Sequence, residues 1–147
     1  MDGIVASLIT DIPSLAKQLY GVRPAILHGD LRLENILFEE LRAQYFVDWQ
    51  LLAIGSPMVD TAYFLTQSGE GLALKDAEEY MLQRYEELLR PFGYTRPLLL
   101  AEYKTAILYN LIMPIFGASY DIHTLGEPRT IAISAFHRNI SAYLYHH

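Results

Sequence analysis

Apolar residues change their spacing along the chain, and each change marks an element. Ile12, Leu15, Ala16 and Leu19 recur at helical steps and share one face. Asp11 is placed to cap this first helix, Pro13 fits its first turn, and Gly21 ends it. A continuous apolar run over residues 24–27 follows, then a polar loop over residues 28–35. Residues 36–38 and 45–47 are short β-prone runs joined by a polar connection, which predicts a hairpin.

Beyond the hairpin the pattern is helical. Gly55, Ser56 and Pro57 make a turn and a helix start, with Ser56 as cap and Pro57 in the first helical position; the helix should reach about Gln67. Gly69 and Gly71 break the chain. From about Leu74 the residues Leu74, Ala77, Met81, Tyr85, Leu88 and Phe92 form a stripe, with Lys75, Asp76, Glu78, Glu79, Glu86 and Glu87 facing water. Pro91 ends that helix. Thr95 can cap a further one over about residues 96–116, apolar on most sides and so expected at the centre, with a kink at Pro114. Pro128 starts the last helix, reaching about Tyr145. The fold class expected is α+β, mainly helical, as one domain over residues 1–147.

Composition narrows the chemistry. There are 17 Asp and Glu against 11 Lys and Arg, for a net charge of −6, a balance that repels nucleic-acid phosphates. No basic cluster suggests an anionic membrane surface. With no cysteine, disulfide, thiolate and Cys-ligated zinc chemistry are excluded. No signal peptide is visible, and the longest stretch without charge, residues 105–120, is shorter than the roughly 18 residues of a membrane span, so a cytoplasmic protein is expected. Hydrophobic residues make up 52% and charged residues 19%, below the usual 25% or so. A domain this small needs much polar surface, so some apolar surface is expected to face a partner or a further part of a larger protein.

The chemistry is concentrated in Leu27-His28-Gly29-Asp30-Leu31-Arg32-Leu33-Glu34-Asn35-Ile36-Leu37-Phe38, followed by Phe46-Val47-Asp48-Trp49-Gln50. Phosphoryl transfer calls for this set. The phosphates of ATP carry dense negative charge, which Mg²⁺ neutralises while taking only one or two protein oxygens. Asn35 and Asp48, at the two ends of a hairpin, can supply those oxygens. Asp30, five residues before Asn35 on the same loop, can orient an attacking hydroxyl and accept its proton. Lone Asp and Asn residues more often serve turns and caps; here four residue types are specified over eight positions, with a correctly spaced hairpin and Asp after them.

These segments resemble the catalytic loop and metal-binding segment of the aminoglycoside phosphotransferase and choline kinase superfamily, which shares the protein-kinase-like fold. Gly29 stands where protein kinases have Arg. Asp48-Trp49-Gln50-Leu51, then Gly55-Ser56-Pro57 and Asp60-Thr61-Ala62-Tyr63-Phe64-Leu65, are similar to the ecdysteroid-kinase-like branch. The match covers about residues 25–65. The resemblance implies a C-terminal kinase lobe with the catalytic loop at residues 27–38, the metal-binding segment at 45–50 and a helical part over 56–147. It implies Asp30 as catalytic base, Asn35 and Asp48 as Mg²⁺ and ATP-binding residues, His28 shaping the loop, and Asp60 bonding back to it. Its substrates would be ATP and a small-molecule alcohol. The 27 residues before His28 hold no Gly-rich loop and no strand-borne Lys, so the N-terminal ATP-binding lobe is expected to be absent here and the chain to be inactive without it.

Several residues have plainer expectations. His28 is read as a buried structural histidine, and Trp49 is expected in the core. Glu34 is a solvated loop charge, and the other histidines show no ligand spacing. Glu102, Tyr120 and Asp121 are substrate-binding candidates by location only. Two alternatives remain: a non-catalytic remnant or pseudokinase that binds a partner through its apolar face, and a metallohydrolase using His28 and Asp30.

Overall fold

The computed structural model describes residues 2–21, 24–68 and 71–146. Expectations placed on Gly69, His147 and the side chain of Leu74 lie outside that description. The architecture is mainly helical with two small antiparallel sheets, in keeping with α+β. Helix α1 spans Asp2–Tyr20. Strand β1 (Ala25–Leu27) pairs with β4 (Ala53–Gly55), and β2 (Ile36–Glu39) pairs with β3 (Arg42–Phe46). Helices α2 (Met58–Ser68), α3 (Gly71–Leu89), α4 (Arg96–Asn110), α5 (Ile112–Leu125) and α6 (Thr130–His146) complete the chain.

Helix α4 is the central element, packed against α1, α2, α3 and α6. Leu99, Tyr103, Ala106 and Ile107 of α4 are fully buried, meeting Met58, Ala62 and Leu65 of α2 and Leu82 of α3. Each such large apolar side chain contributes about 1.5–3 kcal/mol by leaving water. Ser56 caps α2 as expected, its hydroxyl accepting the Met58 N–H at 3.2 Å, and Pro57 precedes the helix. The start of α2 is tied to the end of α1 by Ser56 N–H to the Leu19 carbonyl, 2.7 Å.

Four sequence expectations are corrected. Helix α1 begins at Asp2, so Asp11 and Pro13 lie inside it and cap nothing. The helix expected over residues 96–116 is two: α4 stops at Asn110 and α5 runs on to Leu125. Pro114 causes the break, because its ring clashes with the carbonyl four residues back, which is that of Asn110. The buried face of α3 is rotated by about one residue. Glu78 and Leu82 are buried, while Ala77, Leu88 and Phe92 are exposed. Glu78 tolerates burial because it accepts the Tyr103 hydroxyl hydrogen. Finally, the sole tryptophan is not in the core: Trp49 is 45% exposed.

The segment Arg96–Leu125 is long and apolar enough to cross a membrane by length and composition. Its first half owes that apolarity to the core of the domain.

Candidate functional site

Strand β1 delivers the loop of residues 28–35 to the foot of α2. Gly29 makes the first bend at φ +84°, where a Cβ would stand 2.2 Å from the Leu51 carbonyl oxygen, so only glycine fits. A 3-10 turn at Leu33–Asn35 folds the loop back. Asn35, 6% exposed, then donates from Nδ2 to the Asp30 carbonyl at 2.8 Å and to Asp30 Oδ2 at 3.1 Å. Both amide hydrogens of Asn35 are thereby directed at Asp30, and its amide oxygen is left for another partner.

Asp60, in the first turn of α2, holds the loop from below. Its Oδ2 accepts the His28 N–H at 2.6 Å and its Oδ1 accepts the Gly29 N–H at 2.9 Å. His28 is buried. Its Nδ1 accepts the Asp30 N–H at 3.3 Å, which leaves Nε2 protonated to donate to the Val47 carbonyl at 2.8 Å. With both ring nitrogens engaged, His28 is neither a base nor a metal ligand, and the metallohydrolase alternative loses its principal residue.

Through that bond His28 also sets the position of the segment after β3. Val47 N–H donates to the Asn35 carbonyl at 3.0 Å, and the Trp49 ring lies against the His28 ring, centroids 4.6 Å apart and planes tilted by 42°, while its Nε1 donates to the Phe46 carbonyl at 2.7 Å. Between these anchors Asp48 takes the left-handed conformation, φ +65°, which Asp tolerates better than most residues. Asp48 is exposed, and its Oδ2 accepts from Gln50 at 3.5 Å. Asp30 and Asn35 thus touch, while Asp48 follows directly on the residue bonded to the Asn35 backbone.

Two residues at the site carried no role in the sequence reading. Tyr63 donates its hydroxyl to Asp30 Oδ1 at 3.0 Å. Burial first, then the neighbouring Asp30 carboxylate, pushes the Tyr63 phenol up to about 12, so it stays a donor at any ordinary pH. Arg32 places Nε 3.5 Å from Asp30 Oδ2, and that nitrogen is buried without a hydrogen-bond partner. The available signal was spacing: Tyr63 lies three residues after Asp60, on the same face of α2.

The candidates named by location have structural places. Glu102 is buried and accepts the Ser56 hydroxyl hydrogen, joining α4 to the start of α2. Asp121 is buried and pairs with Arg129, accepting from Nε at 2.9 Å and from the backbone N–H at 3.1 Å. Those bonds hold the Asp121 carboxyl below its usual range and clamp α5 to the chain entering α6. Tyr120 is exposed, as is Glu34. Among the described residues no group of three or more His, Asp or Glu side chains is gathered for a metal ion.

The model of the ecdysteroid kinase-like family matches residues 4–92 of the chain. Among curated proteins, acyl-CoA dehydrogenase family member 11 of Gallus gallus is 41% identical over 69 residues, covering 40% of this chain and 9% of that protein. The Homo sapiens protein of the same name is 46% identical over 41 residues, covering 26% of this chain and 5% of the relative. Acyl-CoA dehydrogenase family member 10 of Mus musculus is 40% identical over 43 residues, covering 28% and 4% respectively. The chain therefore spans only a small part of each of these relatives. No solved structure matches it.

Proposed function

The chain belongs to the ecdysteroid kinase-like family, and from that premise we propose that it is the C-terminal catalytic lobe of a small-molecule kinase, in which Asp30 accepts a proton from a substrate hydroxyl as that hydroxyl receives the γ-phosphoryl group of ATP. The observation that carries the reading is the Asp30–Asn35 pair, buried together and fixed from behind by Asp60. Positioning is most of phosphoryl-transfer catalysis, and a base held at both carboxylate oxygens is positioned before any substrate arrives.

The residues present fit a magnesium ion. Mg²⁺ takes oxygen ligands and keeps several waters. The Asn35 amide oxygen is left over once its nitrogen has bonded Asp30, and the exposed Asp48 follows directly on Val47, whose N–H bonds the Asn35 carbonyl. Asn35 and Asp48 would hold the ion, and the ion would supply neutralisation of the phosphate charge. Asp30, bonded to the nitrogen of that amide and not to its oxygen, would receive the acceptor. Arg32, whose Nε has no hydrogen-bond partner, adds a positive charge beside Asp30.

Completion of the ATP site would come from an N-terminal lobe. Residues 2–20 form one helix and supply no strands for it. Exposed apolar residues of the two small sheets, Ile26 at 74%, Ile54 at 64% and Tyr45 at 68%, would meet such a lobe. The same exposed apolar residues favour a second reading, a non-catalytic remnant that binds a partner through them. The two readings separate on turnover. In the protein carrying both lobes, Asp30→Ala should lower the rate of phosphoryl transfer by roughly 10²–10⁴-fold while the protein stays folded. Retention of most of the rate would remove Asp30 from the chemistry.

A further inference from the structure

Asp60 and Tyr63 sit one turn apart on α2 and reach consecutive residues of the same loop. Asp60 takes the backbone N–H groups of His28 and Gly29, and Tyr63 takes the side chain of Asp30. One helix therefore sets both the path of the loop and the direction of its carboxylate. We infer that Tyr63 is the positioning residue of the base: it holds Asp30 so that Oδ1, rather than Oδ2, faces the substrate hydroxyl. This rests on the phosphotransfer reading above and assigns its proton-accepting atom.

The argument is an account of lone pairs. A carboxylate offers about four acceptor positions, two on each oxygen. Oδ2 of Asp30 receives Asn35 Nδ2 at 3.1 Å, and the Arg32 guanidinium stands beside it as an ion pair, Nε at 3.5 Å, without a hydrogen bond, so protein groups flank that oxygen. Oδ1 receives only the Tyr63 hydroxyl, at 3.0 Å, which leaves one position open. Asp30 is 8% exposed, so only a small part of this residue is open to an incoming group. In the step, the substrate O–H bond breaks as a hydrogen forms its bond to Oδ1. The substrate oxygen bonds to the γ-phosphorus of ATP as the bond from phosphorus to the bridging oxygen breaks, and ADP leaves with that electron pair. Tyr63 keeps its own proton throughout, because its phenol is pushed up to about 12. It acts by direction, not by transfer.

A tyrosine needed only for the fold would act independently of Asp30, and a double-mutant cycle tells the two apart. In the ¹⁵N-labelled chain, the side-chain amide resonances of Asn35 report on its bond to Asp30. Tyr63→Phe, which removes one oxygen, should shift and broaden them while leaving the backbone amides of His28 and Gly29 in place, since Asp60 still holds those. In the Asp30→Ala background the same change should do nothing more. In the two-lobed protein Tyr63→Phe should lower kcat roughly ten- to a hundredfold at unchanged KM for ATP, and by less than about twofold once Asp30 is alanine. Should Tyr63→Phe unfold the chain, Tyr63→His, which keeps a donor, should restore the Asn35 resonances; failure of both the cycle and the rescue overturns the role. Independent, additive effects with an inactive Asp30→Ala protein would overturn the role of Tyr63 alone. A fully active Asp30→Ala protein would instead overturn the phosphotransfer reading itself.

Discussion

The loop and the hairpin are adjacent in sequence and are held in opposite ways. Between His28 and Asn35, the residues His28, Asp30 and Asn35 are buried, and each is bonded to a group from another part of the fold or from the loop's own far end. From Leu37 to Leu52 every residue is exposed, including Leu37, Phe38, Leu41, Tyr45, Phe46 and Trp49. A two-stranded hairpin with apolar side chains exposed on both faces has little to hold it apart from its own ladder and the bonds at its ends. The base side of the proposed site is thus built into the helical core, while the metal side projects from it. On the proposed reading, a kinase lobe that closes on a nucleotide would use that asymmetry, and the exposed apolar residues of the hairpin would meet the partner lobe.

The contrast can be tested by removing apolar groups from each region. Leu99→Ala, in the centre of α4, should cost about 2–5 kcal/mol in urea denaturation, through lost burial and the cavity left behind. Leu41→Ala, at the hairpin tip and 97% exposed, should cost less than about 0.5 kcal/mol. Equal costs would mean that the hairpin is covered in solution and that the contrast is false.

Asp60 ties the loop to α2. Asp60→Ala would leave two loop N–H groups without their acceptor, and hydrogen bonds to a charged group are worth more than neutral ones. The expected loss is about 2–3 kcal/mol, with faster hydrogen exchange at His28 and Gly29. If the cost proved negligible, α2 would not be what holds the loop. The smallest effect is expected at Asp48. Its left-handed backbone suits glycine at least as well, so Asp48→Gly should change stability by less than about 0.5 kcal/mol while removing metal-dependent nucleotide binding. A large loss of stability would make Asp48 a structural residue.

What could be read from the sequence was what is decided locally. The Ser56 cap, the hairpin and the central place of α4 follow from residues within a few positions of each other. The loop was legible because its base and its proposed metal ligand are five residues apart. What escaped was decided across the fold. Glu78 reads as solvent-facing because its partner, Tyr103, lies 25 residues on. Trp49 reads as core, yet it is placed by His28, which holds the carbonyl of Val47 and packs its ring against the indole. Tyr63 reads as an ordinary helix aromatic until the packing of α2 against the loop brings its hydroxyl to Asp30. Pro13 reads as a first-turn proline, whereas it sits within α1, which begins at Asp2.

The central claim is that Asn35 and Asp48 share a metal-bound nucleotide next to Asp30, and adding ATP with Mn²⁺ in place of Mg²⁺ to the ¹⁵N-labelled two-lobed protein tests it most directly. The paramagnetic ion should broaden the resonances of Asn35, Asp48 and their neighbours first, and Asp48→Gly should abolish that effect. Broadening centred elsewhere, for instance on the acidic outer face of α3 around Glu86 and Glu87, or no broadening at the loop at all, would contradict it.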